Sequence, residues 1–438
     1  MAKTEGSEIS NREKTPGNDG PFPALRIRNF RLLLTGTTLS AAANWMQQVV
    51  TNWLAYDLTG SGTILGSVNL ARSAAMFGLM PFTGVLIDRT KRRTLMLFTN
   101  LWLLAVTFGL GMTLLLGPAH VSYLFLLAFL CGIATSVDSS LRQVVVFDLF
   151  PRELTPNAVA LIQTGWSLMR SFGPAVGGFI MLWFGDSGNF FLQAGAYAFI
   201  TFNILWIRFP PQRTNIITGS PFHNIKEGFK YIAGEPVTRT FMLMGLILPF
   251  LIIPIFNIIP PIYAKDVYHG GPELLGFMMS AVGIGGIIGG VLTASLSRIE
   301  RRGLLQLSSI FLVSLSLMGF AFCTNMWLAF PFLVLSGFFE IIFLTSNQTL
   351  LQLSIPDNMR GRVTSIVNLN ATLSPFGGLL VGVGSDYLGG PRTISVVMCS
   401  LAAGIAVCIF LFSPTVRGYR ISRAIAFQPG KSTATEKP

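Results

Sequence analysis

Charge is what this chain has least of. Lys, Arg, Asp and Glu make up 11% of its 438 residues, where a soluble domain carries about 25%. So few charges cannot cover a water-facing surface of this size, which excludes an ordinary soluble fold. Cysteine and histidine are also scarce. Cys131, Cys323, Cys399 and Cys408 fall in or beside apolar stretches, with no C-x-x-C or Cys/His spacing, so neither a disulfide framework nor a metal centre is expected. His120, His223 and His269 sit in separate loops. No G-x-S-x-G, H-E-x-x-H or P-loop pattern occurs. The expectation is a protein with no catalytic residues, no metal and no cofactor, driven by a gradient rather than by ATP. The polar first 20 residues also lack the apolar region of a cleavable signal peptide.

Apolar residues, by contrast, make up 51% of the chain. They recur in stretches of about 20, enough to cross a hydrocarbon core roughly 30 Å thick. Twelve spans are expected, at 31–57, 62–87, 94–117, 121–148, 157–183, 187–209, 238–264, 273–297, 303–324, 327–354, 362–388 and 392–413. Helices are required because the bilayer offers no water to unpaired backbone groups. Barrel strands would alternate apolar and polar residues, and Leu95–Leu116 and Ile310–Phe322 do not. The fold class read from this pattern is an all-α integral membrane protein with twelve transmembrane helices.

The net charge of +12 follows that topology. Of 31 Lys and Arg residues, 26 fall at the two termini, in the even-to-odd turns and in the central loop; only Lys265 and Arg392 fall on the other side. Such asymmetry places both termini in the cytoplasm. It also argues against nucleic acid, which would need bases gathered on a soluble face.

The segment 210–236 is the one long polar break, and it separates a six-helix half at 26–209 from another at 237–413, with tails at 1–25 and 414–438. Within it Phe222, Ile225, Phe229 and Ile232 recur at helical spacing, as in an interfacial amphipathic helix. The halves echo each other. Pro151 aligns with Pro356, Gln163 with Asn368 and Ser167 with Thr372, all at an offset of 205. The basic turn Gly84–Arg93, G-x-x-x-D-R-x-x-R-R, has a weaker copy at Thr293–Arg302 in which Ser297 replaces the acid. Parallel six-helix halves enclosing a midplane site are one large transporter architecture.

The Asp88-Arg89…Arg92-Arg93 turn resembles the signature loop of the major facilitator superfamily, with Lys91 where that loop has glycine. Trp53–Ser61, Pro81…Gly84…Asp88-Arg89 and Gly361-Arg362-Val363 are similar to its enterobactin-exporter-like branch. The resemblance implies a proton-coupled bacterial exporter in the inner membrane, working by alternating access on a small amphipathic molecule such as a siderophore, drug or secreted metabolite. An importer on the same fold is the alternative. By the same match Asp88, with Arg89 and Arg92, forms a cytoplasmic gate. Gly173-Pro174-x-x-Gly177-Gly178 resembles the exporter-associated motif, a hinge that seals the cavity, with Ala160 and Met169 at two of its glycine positions.

Charges inside spans are costly and usually face the bundle interior. Asp138 and Arg142 share a helix face at i,i+4. Arg72, Arg170 and Glu340 also lie deep, and Glu340 has no base near it in sequence. A carboxylate in such a place can carry a proton, so Glu340 and Asp138 are the coupling candidates, with Arg142, Arg170 and Arg72 as their setting. Span 1 offers a polar stripe of Asn44, Gln48 and Thr51 at helical spacing, flanked by Trp45, Gln47 and Asn52. Ser136, Ser139, Asn257 and Gln348 join it if spans 1, 4, 7 and 10 line the cavity, as the resemblance implies. The expected partners are the substrate, protons or another coupling ion and the lipid bilayer, with the protein a monomer.

Overall fold

Every regular element among the described residues is helical. The computed structural model describes residues 22–150, 154–209, 221–295, 301–356, 359, 362–364, 366–367, 373–413 and 417, without the side chains of 80–81, 221–225 and 294–295. After a turn at Pro23–Arg26 come α1 (Arg28–Thr59), α2 (Gly62–Arg89), α3 (Arg92–Leu116), α4 (Val121–Leu149) and α5 (Thr155–Trp206). A short α6 (Pro221–Gly234) precedes α7 (Pro236–Val267), α8 (Pro272–Ser295), α9 (Arg302–Phe322), α10 (Met326–Ser354), α11 (Ser374–Tyr387) and α12 (Gly390–Phe412).

Seven of the described helices are long and apolar enough to cross a membrane, or eight if the two arms of α2, which meet at 57°, count as one span. The chain is an all-helical, multi-pass membrane protein. The difference from twelve has physical causes. α1 is 32 residues long, but Asn44, Gln47, Gln48, Thr51 and Asn52 dilute its apolar character. α5 runs for 52 residues as two arms joined at Gly185, whose φ of 69° suits glycine. That break falls between the expected spans 157–183 and 187–209. The start of the expected span 362–388 is only partly described.

α7 holds Pro249, Pro254, Pro260 and Pro261, none of which can donate a backbone hydrogen bond. Two π-type turns, Leu248–Ile252 and Tyr263–Val267, accommodate the missing donors without ending the helix.

Small residues set how the helices meet. α5 packs on α1 and α8, α8 on α10, and α2 on α11. A methyl group placed on Gly66 of α2 would lie 2.8 Å from the Gly378 carbonyl of α11, and one on Gly276 of α8 would lie 2.5 Å from the Pro174 carbonyl of α5. Such backbone-close seams are how helices associate where apolar burial alone gives no advantage over lipid. The large apolar side chains left outside, among them Phe82, Trp183, Phe199, Trp327 and Phe412, suit a hydrocarbon surround.

α6 packs against the rest of the molecule. Glu227 pairs with Arg362 at 2.7 Å, and the Tyr231 hydroxyl donates to the Ser354 carbonyl at 3.3 Å. Ile232 is buried and Phe229 exposed, so one face docks on the end of α10 and the other stays outward.

Candidate functional site

A cavity of about 400 Å³ is lined by Thr37, Ser40 and Asn44 of α1, by Thr135, Asp138, Ser139, Arg142 and Phe147 of α4, and by Val159, Gln163 and Trp166 of α5. It runs from mid-depth toward the end of the molecule that carries the Asp88 turn. Asp138 and Arg142 form part of its wall, and both are buried. Arg142 Nε meets Asp138 Oδ2 at 2.6 Å. Asn100 Nδ2 and the Thr99 hydroxyl donate to Asp138 Oδ1 at 3.1 and 3.3 Å. The remaining guanidinium nitrogens of Arg142 donate to Thr37 Oγ1 and Asn100 Oδ1 at 3.3 and 3.2 Å. Each charge is compensated within its own cluster of helices, which is what a permanent buried pair requires.

Glu340 is in a different position. Its carboxylate, 2% exposed, receives Arg170 Nη2 on both oxygens, at 2.7 Å to Oε1 and 2.5 Å to Oε2. The partners come from α5 and α10, 170 positions apart. Arg170 is partly exposed while Glu340 is enclosed. Near Glu340, α8 packs on α10 through Gly285 and Gly289 against Val334 and Phe338.

The polar stripe of α1 points at α7 and α2. Gln48 Nε2 donates to Asn257 Oδ1 at 2.7 Å and Asn52 Nδ2 to the Asn257 carbonyl at 3.1 Å. Asn69 Nδ2 donates to Asn52 Oδ1 at 3.0 Å, and Arg72 Nη2 donates to Asn44 Oδ1. Thr51 is buried beside them, and the Trp45 indole N–H meets no acceptor among the described residues. Gln348, by contrast, is exposed. Its neighbour Asn347 is the buried one and accepts from Gln306 Nε2 at 2.6 Å.

The other end of the molecule is tied shut. The Tyr56 hydroxyl donates to Asp266 Oδ2. Lys265 Nζ lies 2.7 Å from Asp57 Oδ1. Asp386 of α11 accepts from Ser61 Oγ at 2.6 Å, Gly62 N at 2.8 Å and Thr63 N at 2.9 Å. A carboxylate from the far end of the chain thereby caps the N-terminus of α2, satisfying its free amides and its dipole.

At the Asp88 end, Asp88 and Arg89 are exposed in the last turn of α2. Arg92 is tied locally: Nε to Asp148 Oδ2 at 2.9 Å and Nη1 to the Ile87 carbonyl at 2.9 Å. Arg93 reaches the Leu205 carbonyl at 2.7 Å. Residues 296–300 of the weaker copy of this turn lie outside the described ones, as do Pro151, Gly361, Asn368 and Thr372. The Gly173–Gly178 motif forms a seam. Gly173 abuts Trp45, Gly177 abuts Met46, and a methyl group on Gly178 would lie 2.5 Å from the Pro272 carbonyl of α8. The helix breaks seven residues later, at Gly185.

The family model described as transmembrane secretion effector, within the major facilitator superfamily, matches residues 19–429. The chain belongs to that family. The transporter is 27% identical over 373 residues to the staphyloferrin A transporter of Staphylococcus aureus, covering 84% of this chain and 92% of that protein. It is 27% identical over 322 residues to the enterobactin exporter EntS of Shigella boydii, covering 72% and 75%. These matches confirm a transporter of the enterobactin-exporter-like branch, not an enzyme, in the bacterial inner membrane. A bacterial homolog to the human lysosomal transporter Spinster, solved in an inward-facing and unoccupied conformation, shares the fold. Its TM-score is 0.71 at 14% identity, over 89% of this chain and 98% of that one.

Several residues that organise the transporter were not singled out by sequence reasoning. Asp148 holds Arg92, and Asp266, Lys265 and Asp386 hold the shut end. The partners Tyr56, Asp57 and Ser61 do belong to the Trp53–Ser61 stretch that carries the family resemblance. That stretch supplies one side of the latch. Nothing local to it marks Asp386, 325 positions away.

Proposed function

We propose that this transporter is a proton-coupled exporter of a small amphipathic molecule, with twelve helices in two parallel halves, 26–209 and 237–413, and both termini cytoplasmic. The cavity then faces the cytoplasm, and the Tyr56–Asp266, Asp57–Lys265 and Asp386–α2 contacts seal the exterior. The observation that carries the reading is the Arg170–Glu340 pair, which joins α5 to α10 at mid-depth.

An antiporter must not switch while empty. With Glu340 ionised, its bond to Arg170 holds the two halves together in the empty protein. A proton on Glu340 removes one of the charges and weakens the tie. Cargo that engages Arg170 does the same from the other partner. Either ligand, but not neither, frees the halves to move. Asp138, fully compensated inside the first half, holds α4 against α3 and α1 rather than carrying the proton. Asp88 and Arg89 act as the cytoplasmic gate, while Arg92 supports them through Asp148. The glycines at 173, 177 and 178, with Pro174, form the seam along which α5 moves on α1 and α8. Asn44, Trp45, Gln48, Thr51, Asn52, Ser139 and Asn257 face the cargo.

The names of the siderophore transporters matched above support an exported chelator as cargo. The test is proton-driven uptake of a panel of catecholates and amphipathic dyes into inverted membrane vesicles. The transporter accumulates at least one of them, collapse of the pH gradient stops it, and Glu340→Gln abolishes the dependence on the gradient. Equal uptake by vesicles lacking the protein, or full gradient dependence in Glu340→Gln, contradicts the proposal.

A further inference from the structure

The deep charges of this membrane protein do not balance. Three arginines lie well inside the expected spans, Arg72, Arg142 and Arg170, but only two acids, Asp138 and Glu340. Arg142 is neutralised by Asp138 and Arg170 by Glu340. Arg72 is left over. No carboxylate among the described residues lies within ion-pair distance of it, and its hydrogen bond goes to the neutral amide of Asn44. The groups lining its pocket are neutral as well: Gln47, Gln48, Thr51, Asn52 and Asn69. Asn44, which accepts from Arg72, also lines the larger cavity.

An arginine cannot relieve this imbalance by losing its proton. Holding a cation at bilayer depth without a counterion is costly, and such residues mark substrate pathways. A structural bridge between α1 and α2 would not need the charge, because a neutral amide could serve the same Asn44 oxygen. From this we infer that the cargo is an anion, and that Arg72 is the cation that receives its carboxylate or phenolate group. The inference rests on the transport reading above and narrows its cargo to one charge class. The Arg72 guanidinium presents several N–H groups and spends one on Asn44, which leaves donors for an oxyanion in the planar fork that suits carboxylates. The neutral amides around it orient the polar parts of the cargo without competing for the cation.

The experiment uses the full-length protein in detergent and two xanthene dyes of similar shape and opposite charge, carboxyfluorescein and tetramethylrhodamine methyl ester. Binding is followed by fluorescence polarisation. Wild type binds the anionic dye in preference. Arg72→Gln weakens that binding by about tenfold or more, the scale of one charged hydrogen bond, and leaves the cationic dye unchanged. Arg72→Lys, which keeps the charge but not the fork, lies between. Thermal unfolding without dye separates a binding role from a structural one: removing an uncompensated charge leaves Arg72→Gln at least as stable as wild type. The inference is overturned if the cationic dye binds as well as the anionic one, if neither binds, or if Arg72→Gln binds the anion normally. It is also overturned if Arg72→Gln is markedly less stable and Arg72→Lys restores stability without restoring anion preference. Proton-driven uptake of the cationic dye in vesicles would keep the transport reading and reject the anionic cargo. Anion binding at Arg72 with no gradient-driven uptake of any dye would keep the site and reject the transport reading.

Discussion

Asp138 and Glu340 are both deep carboxylates bonded to arginine, yet their surroundings assign them different work. Asp138 has an arginine one turn away plus two further donors, so both of its oxygens are bonded within one cluster of helices. Replacing it by Asn leaves Arg142 buried and unpaired, a loss of about 3–5 kcal/mol for a broken buried pair. Thermal unfolding of purified Asp138→Asn will show a markedly lower midpoint than wild type. Glu340→Gln also removes a counter-charge, but its partner Arg170 is partly exposed, so the midpoint falls less than in Asp138→Asn. The first pair was legible in the sequence because the i,i+4 spacing of a helix puts its members on one face. The second was not. Glu340 stood out as an unpartnered acid, and only the tertiary fold brings Arg170 to it.

Elements here are fixed by their ends and seams. Asp386 caps α2 from α11, and charged hydrogen bonds of this kind contribute about 1.5–3 kcal/mol each. Asp386→Ala therefore shifts the shut conformation toward its open counterpart by roughly tenfold or more. In a protein stripped of its native cysteines, Thr51→Cys will react faster with an impermeant thiol reagent added outside right-side-out vesicles once Asp386→Ala is introduced. Unchanged reactivity rejects the latch. At Gly276 the α5–α8 seam has no room for a side chain, so Gly276→Val, which drives a methyl group against the Pro174 backbone, will lower the yield of folded protein.

At the break in α5, burial raises the Asp186 carboxyl above its ordinary value, and the nearby Asp57 carboxylate adds to this. An acid raised in the folded state costs stability once it ionises. The cost is absent below the unfolded value and complete above the folded one. Asp186→Asn will therefore raise the unfolding midpoint at neutral pH, and the gain will vanish in acid. Except at the start of α11, the described helix ends lie within a few residues of the expected ones, because glycine, proline and charge punctuate the apolar runs. The cap on α2 was illegible, because capping rules look at neighbours and this cap arrives from the other end of the chain.

At the scale of the whole molecule, composition and charge asymmetry gave the class, the basic turn gave the superfamily, and the matches to known transporters confirmed both. Mechanism is not written in those features. It depends on which groups the fold brings together at mid-depth, and the central claim is that the Arg170–Glu340 bond holds the empty transporter in one conformation until a proton releases it. The most direct measurement is the distance between spin labels at Leu116→Cys and Trp327→Cys, two exposed positions at the shut end, read by pulsed electron resonance without cargo. In alkaline buffer the wild type should give a single short distance, and acid should add a longer one. Glu340→Gln should show both distances in alkaline buffer and change little with acid. One short distance in every sample, or an acid response in Glu340→Gln equal to that of wild type, would contradict the account.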